Sequence, residues 1–234
     1  MKFLDENAAG YARSESIAVL FLPNAKNAKR IYAKIFHTKR NCDGYKEEEI
    51  MFPSRKIQSI FFKKFYKEYD IPTTCVSYIE AHGTGTKVGD PEKMNAIDHI
   101  FTEGRTKPLK VGTIKSNIGY TEAASGINSI IKAIISMKSS LTSLNINFNR
   151  PRKDVKCLTE GRIKIVTKTT SLDGEYISIN SFRIGCANAH ILLKSNPKTK
   201  INKGLTSDDL LKLVAISGCT EETVITILND VLKI

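Results

Sequence analysis

The sequence predicts an α/β layered fold, and three observations predict it. Short apolar runs alternate with longer segments in which apolar residues recur at helical spacing. Three loops rich in glycine and side-chain donors each follow a predicted strand. The chain has 234 residues, 41% of them hydrophobic, enough for one sizeable core or for one domain with an appendage.

The elements follow in order. Glu15 to Leu22 is an apolar run of β type, and Ile31 to Phe36 alternates and offers it a pairing partner. Asn41 to Gly44 is a turn cluster. From Ser54 to Tyr69, Ile57, Ile60, Phe61 and Phe65 recur at helical spacing with lysines opposite, and Pro72 ends that helix. Cys75 to Ile79 is a short strand. Asp90 caps the next helix, with Pro91 at its first position, and that helix runs to Phe101. Leu109 to Thr113 is a strand. The helix from Glu122 to Met137 carries Ile127, Ile130, Ile131, Ile134 and Ile135 around much of its circumference, so burial on more than one side is expected. Ile163 to Val166 and Tyr176 to Ile179 are strands, and Ile191 to Leu193 is apolar again. After Asn196-Pro197 the chain turns lysine-rich, and two short helical patterns begin at Ser207 and Thr220. A boundary near Pro197 divides residues 1–196 from 197–234.

Composition excludes several classes. The longest apolar run, Ile17 to Leu22, is far too short to span a bilayer, and no apolar segment of signal length opens the chain. A soluble, cytoplasmic protein without membrane contact is expected. Cys42, Cys75, Cys157, Cys186 and Cys219 show no C-x-x-C pairing, which argues against a zinc site or a disulfide framework. The net charge of +12 suggests nucleic acid. However, lysines recur along the whole chain, at Lys26, Lys63, Lys107, Lys153 and Lys203, with no dense arm and no nucleic-acid-binding motif. A solvated basic surface, or one that attracts an acidic partner, fits better.

The chemistry sits in the three loops. In His82-Gly83-Thr84-Gly85-Thr86 the glycines let a ligand approach the backbone, the threonines offer hydroxyls, and the histidine is a donor or base near neutral pH. A lone histidine is also often a core residue, and both readings stay open. Lys115 to Tyr120 brings a lysine, an asparagine and a phenol between a strand and a helix, either as helix caps or as a site. Asn180 to His190 is either a turn between core strands, with Asn188 and His190 bonding the backbone, or a third site loop.

Taken together the loops are far more specific. Glu80-Ala81-His82-Gly83-Thr84-Gly85-Thr86 with Gly89-Asp90-Pro91, then Lys115-Ser116-Asn117-Ile118-Gly119-Tyr120 with Ala124-Ser125-Gly126, then Asn180 to His190, resemble in order the motifs of the β-ketoacyl synthases. Gly10 to Glu15 resembles the run that follows the nucleophile in that family. The resemblance spans residues 5 to 195 and is nearest to animal-type fatty acid synthase, with modular polyketide synthase second. It implies a thiolase-like αβαβα fold, of which this chain holds mostly the C-terminal half. It also implies that residues 197–234 begin the linker toward an acyltransferase.

The implied activity is that of an acyltransferase: decarboxylative condensation of malonyl with an acyl thioester in fatty acid biosynthesis. The implied partners are an acyl carrier protein, a second copy in a homodimer, and an N-terminal half of the domain. No cofactor or metal is bound directly; the phosphopantetheine arm of the carrier delivers the substrate. By resemblance His82 and Lys115 are catalytic, and Tyr120 stands where the family has its second histidine. Thr84 and Thr86 match the threonines that hold the phosphopantetheine arm. Ile184 takes the place of a phenylalanine that gates the acyl pocket, and Arg183 that of a glycine beside it. None of the five cysteines lies in the family's nucleophile context; Cys186 replaces a glycine. The resemblance therefore implies that the lone chain is inactive. A non-catalytic descendant that binds a carrier protein or partner is the rival reading.

Overall fold

In the computed structural model, residues 1–28, 31–45, 52–182, 187–196, 200–201, 205–206 and 220–232 are described. The chain divides into Met1–Pro197 and Lys198–Ile234. The larger unit contains β1 (Ala33–Cys42), α1 (Arg55–Lys67), β2 (Val76–Glu80), α2 (Gly89–Phe101), β3 (Leu109–Gly112), α3 (Lys115–Ile118), α4 (Ser125–Ser139), β4 (Leu141–Thr142), α5 (Lys156–Thr159), β5 (Ile163–Ile165), β6 (Thr170–Ser171), β7 (Tyr176–Phe182) and β8 (Ala187–Ser195). The smaller unit contains an antiparallel pair, β9 (Lys200–Ile201) with β10 (Leu205–Thr206), and α6 (Glu221–Leu232). The Thr223 amide donates to Thr220 Oγ1 at the start of α6. The helix expected from Ser207 lies outside the described residues.

One sheet of six strands, in the order β1-β8-β7-β2-β3-β5, organises the larger unit. β7, β2, β3 and β5 run parallel, and β8 and β1 add antiparallel at one side. Strand residues alternate between faces, so Ile79 joins the core under α1 and α2 while Tyr78 joins the core under α4. The first core is built on Phe61, Phe62, Phe65 and Tyr66 of α1 with Met94, Ile97 and Phe101 of α2. Ser54 Oγ caps α1 by accepting the Ile57 amide, and Lys63, Lys64 and Lys67 face outward.

His190 stands in that aromatic core with no exposure. Its Nδ1 is 2.5 Å from Asn180 Oδ1 and its Nε2 is 3.2 Å from the Tyr66 hydroxyl. Burial pushes its pKa down to about 3, so it is neutral. Asn188 donates to Asn41 Oδ1 and Asp43 Oδ1 and accepts from Gln58. These side-chain bonds tie the β7–β8 pair to β1 and α1.

Three expectations fail. Glu15 to Leu22 forms no strand: Ile17 is 99% exposed and Phe21 89%, and β1 pairs with β8 instead. An apolar run becomes a strand only where a neighbour satisfies its amides. Asp90 does not cap α2; its carboxylate turns to the preceding loop. Helix α4 buries Ser125, Ser129, Lys132, Ala133 and Ser136. These small or polar residues let it approach the sheet closely, while Ile127 and Ile135 face out, Ile135 at 61% exposure. The isolated chain is accordingly expected to bind the dye ANS strongly through Ile17, Val19, Phe21 and Ile135. Fluorescence no higher than that of a compact control domain counts against these surfaces being open in solution.

Candidate functional site

The loops after β2 and β3 leave the carboxyl ends of adjacent parallel strands, beside the end of β7. The register sets Glu80 opposite both Gly112 and Ile179, so the two loops emerge at the same height. The N-terminal segment then binds them together. The Gly10 amide donates to Gly85 O at 2.9 Å, the Tyr120 amide to Ala12 O at 2.8 Å, and the Ser14 amide to Tyr120 O at 3.1 Å. Gly85 has φ +76°, and a Cβ there would lie 2.6 Å from Gly10 O, so this strapping requires glycine. Gly119, at φ +83°, meets Ser14 in the same way.

Asp90 holds the β2 loop. Its carboxylate accepts the Thr84 amide at 3.2 Å and the Gly85 amide at 2.7 Å, with Thr84 Oγ1 at 3.5 Å. Burial raises its pKa despite the nearby lysine and the two amides. Thr84 is buried, whereas Thr86 is half-buried and its carbonyl accepts from Arg152.

The structure brings His82, Lys115 and Tyr120 together. The His82 and Tyr120 rings meet edge to face at 5.6 Å, and Lys115 Nζ lies 5.5 Å from the Tyr120 ring centroid. The ring of Phe182, at the end of β7, stands 6.3 Å from that of His82. His82 is 5% exposed, and its Nδ1 has no hydrogen-bond partner among the described residues. Burial, reinforced by the charges of Lys93 and Lys115, holds its pKa well below the usual imidazole range. It is therefore a neutral donor and acceptor. Arg183, Ile184 and Cys186 lie outside the described residues.

Burial also lowers Lys115, to about 8, against the attraction of Glu80. Below that pH its ammonium is charged in folded and unfolded chains alike, and the folded chain carries the whole desolvation cost. Between about 8 and 10.5 the unfolded chain binds the proton more, so stability rises with pH. Lys115→Met is expected to remove a rise on the order of 3 kcal/mol across that window. Urea unfolding of both proteins at several alkaline pH values checks this, and parallel pH profiles would refute it.

Sequence reasoning missed what stands behind this loop. Lys132 of α4 reaches Glu80 Oε2 at 2.8 Å and the Tyr78 hydroxyl at 2.9 Å, and that hydroxyl donates to Glu80 Oε2 at 2.8 Å. Glu80 Oε1 accepts the Ile114 amide at 2.5 Å. A β2 carboxylate thereby fixes the start of the turn that carries Lys115. The signal was Lys132, set among the isoleucines of α4.

Among the described cysteines, Cys42 and Cys75 are exposed. Cys157 is buried in the core, where its thiol is pushed up to about 12, unsuited to nucleophilic work. Among the described residues no cluster of three His, Cys, Asp or Glu side chains can hold a metal, and no helix is long and apolar enough to cross a membrane.

Residues 32–149 match the family profile described as beta-ketoacyl synthase, C-terminal domain. Residues 151–234 match that of the ketoacyl-synthetase C-terminal extension. The chain is 36% identical over 201 residues to the highly reducing polyketide synthase gloL of Glarea lozoyensis, which covers 83% of this chain and 8% of that protein. It is 39% identical over 140 residues to a fatty acid synthase of Anser anser anser, covering 60% and 40% respectively. Among solved structures it resembles ketosynthase twelve of the bacillaene polyketide synthase of Bacillus amyloliquefaciens. The TM-score is 0.78 at 28% identity, over 86% of this chain and 37% of that one. The module 6 ketosynthase of the bacillaene synthase of Bacillus subtilis gives a TM-score of 0.72, also at 28% identity, over 84% and 36%. The chain thus spans less than half the length of each of these relatives.

Proposed function

Because the chain belongs to the β-ketoacyl synthase family, as its C-terminal domain, we propose that it supplies the decarboxylating half of a condensing site that extends an acyl thioester with a malonyl unit. The observation that carries this reading is the convergence of His82, Lys115 and Tyr120 at the ends of β2 and β3. An acyl-carrying cysteine comes, in this reading, from an N-terminal half of the domain. His82 is neutral and donates to the malonyl thioester oxygen as the enolate forms, and Lys115 contributes positive charge beside it. Tyr120 occupies the second donor position. Thr84 and Thr86 line the approach of the phosphopantetheine arm in this reading; the acyl-pocket roles of Ile184 and Arg183 rest on the resemblance alone. The fatty acid synthase relative supports fatty acid elongation, and the polyketide synthase relatives support the equivalent step of polyketide assembly.

The test is a chimera with the N-terminal half of an active ketosynthase, assayed for β-ketoacyl product from malonyl-carrier. Product above that of the N-terminal half alone is expected. None, even with histidine restored at position 120 in a folded chimera, would overturn the reading. The net charge of +12 also predicts weak, fast binding of an acidic acyl carrier protein, screened by salt. Titration at low and moderate ionic strength checks this; binding unchanged by salt counts against it.

A further inference from the structure

The N-terminal segment holds Tyr120 by more than the backbone bonds to Ala12 and Ser14. The Tyr11 ring meets the Tyr120 ring edge to face, with centroids 5.2 Å apart. Arg13 pairs with Tyr120 in an isolated parallel bridge, and its side chain turns to two neighbours. Its Nε lies 3.0 Å from Glu122 Oε1, and its guanidinium hydrogen-bonds the Tyr11 side chain. Tyr11, Arg13, Glu122 and Tyr120 thereby form a closed circuit of contacts around the turn that follows Tyr120.

That turn is strained. Glu122 has φ +44°, in the left-handed region that a residue with a side chain occupies only where its surroundings hold it. Asn128 ties the same turn to the N-terminal segment, donating to Ser16 Oγ at 2.7 Å and to Thr121 Oγ1 at 2.9 Å. The Arg13 and Glu122 side chains are 73% and 48% exposed, and an ion pair so exposed adds little to global stability. What the pair does is geometric. It fixes the turn that aims the Tyr120 ring at His82 and sets it beside Lys115.

We propose that Arg13 is a positioning residue: by engaging Glu122 and Tyr11 it fixes the direction of the Tyr120 ring. The proposal rests on the condensing-site reading above and deepens it, because it names what orients the second donor of that site.

The first measurement uses the full chain with ring-labelled tyrosine, the Tyr120 signals being assigned by their loss in Tyr120→Phe. A nuclear Overhauser contact between the Tyr11 and Tyr120 rings is expected in the unsubstituted chain. Arg13→Met and Glu122→Gln are each expected to shift the Tyr120 signals and weaken that contact, with the urea midpoint almost unmoved. The exchanged pair, Arg13→Glu with Glu122→Arg, is expected to restore both. Lys168→Met, on the exposed surface, leaves them in place. In the chimera, Arg13→Met is expected to lower kcat at least about tenfold with KM little changed, because a misdirected donor costs the reacting step rather than binding. Tyr120 signals unmoved in folded Arg13→Met and Glu122→Gln chains overturn the proposal. So does the absence of the Tyr11–Tyr120 contact in the unsubstituted chain, a readout that depends on no variant folding. An exchanged pair as disturbed as the single variants overturns the pairing with Glu122 as the cause. An unchanged kcat in the Arg13→Met chimera sinks this proposal alone, whereas a chimera without product, in a chain whose Tyr120 ring moves with Arg13, sinks only the reading beneath it.

Discussion

Joined to the N-terminal half of an active ketosynthase, the chain is expected to condense slowly, and Tyr120→His is expected to raise the rate by about 100- to 10,000-fold. In the proposed reading Tyr120 takes the place of a second imidazole; its ring lies edge to face with His82 at 5.6 Å. What it lacks is the chemistry. A phenol donates a hydrogen bond, but its ordinary pKa of about 10 keeps it from exchanging a proton readily near neutral pH. His82 is held neutral by burial and by the charges of Lys93 and Lys115, so it does not make up the deficit as an imidazolium. The measurement is β-ketoacyl product from malonyl-carrier in chimeras with tyrosine and with histidine at position 120, each shown to be folded. Equal rates would mean that the phenol is no handicap at this site.

The second large effect is on stability. Glu80 and Lys132 have side chains only 1% and 5% exposed, and Lys132→Met leaves the carboxylate buried without its counter-charge. The expected loss is about 3–5 kcal/mol of unfolding free energy. Glu80→Gln added to Lys132→Met is expected to recover most of it. The amide oxygen still accepts from the Ile114 amide, the amide NH2 donates to the Tyr78 hydroxyl oxygen, and no charge is left to desolvate. Tyr78 keeps its proton throughout, because burial and the adjacent carboxylate both push its pKa well above the usual phenol range. Urea denaturation of the single and double variants measures this coupling. If the double variant loses as much as Lys132→Met alone, the pair is not what holds the Ile114 turn.

The resemblance of the loop motifs to the β-ketoacyl synthases grouped His82 with Lys115 and Tyr120, whereas the sequence by itself determined the alternation of strands and helices and the loops that end β2 and β3. Those features depend on local patterns: apolar runs of strand length, helical spacing in α1, and glycines where the chain must turn. Only the tertiary structure decided the rest. Whether Glu15 to Leu22 becomes a strand depends on a neighbouring edge, and no periodicity reveals whether one is there. Burial of α4 on more than one side was expected, but its small and polar face is the buried one and Ile127 and Ile135 face out, because side-chain size and the pairing of Lys132 with Glu80 outweigh hydrophobicity in that contact. Asp90 was legible as a helix cap and serves the β2 loop instead. Lys93 reads in sequence as one lysine among many. Only the fold, by packing α2 against the end of β7, sets its Nζ 5.9 Å from the Phe182 ring centroid.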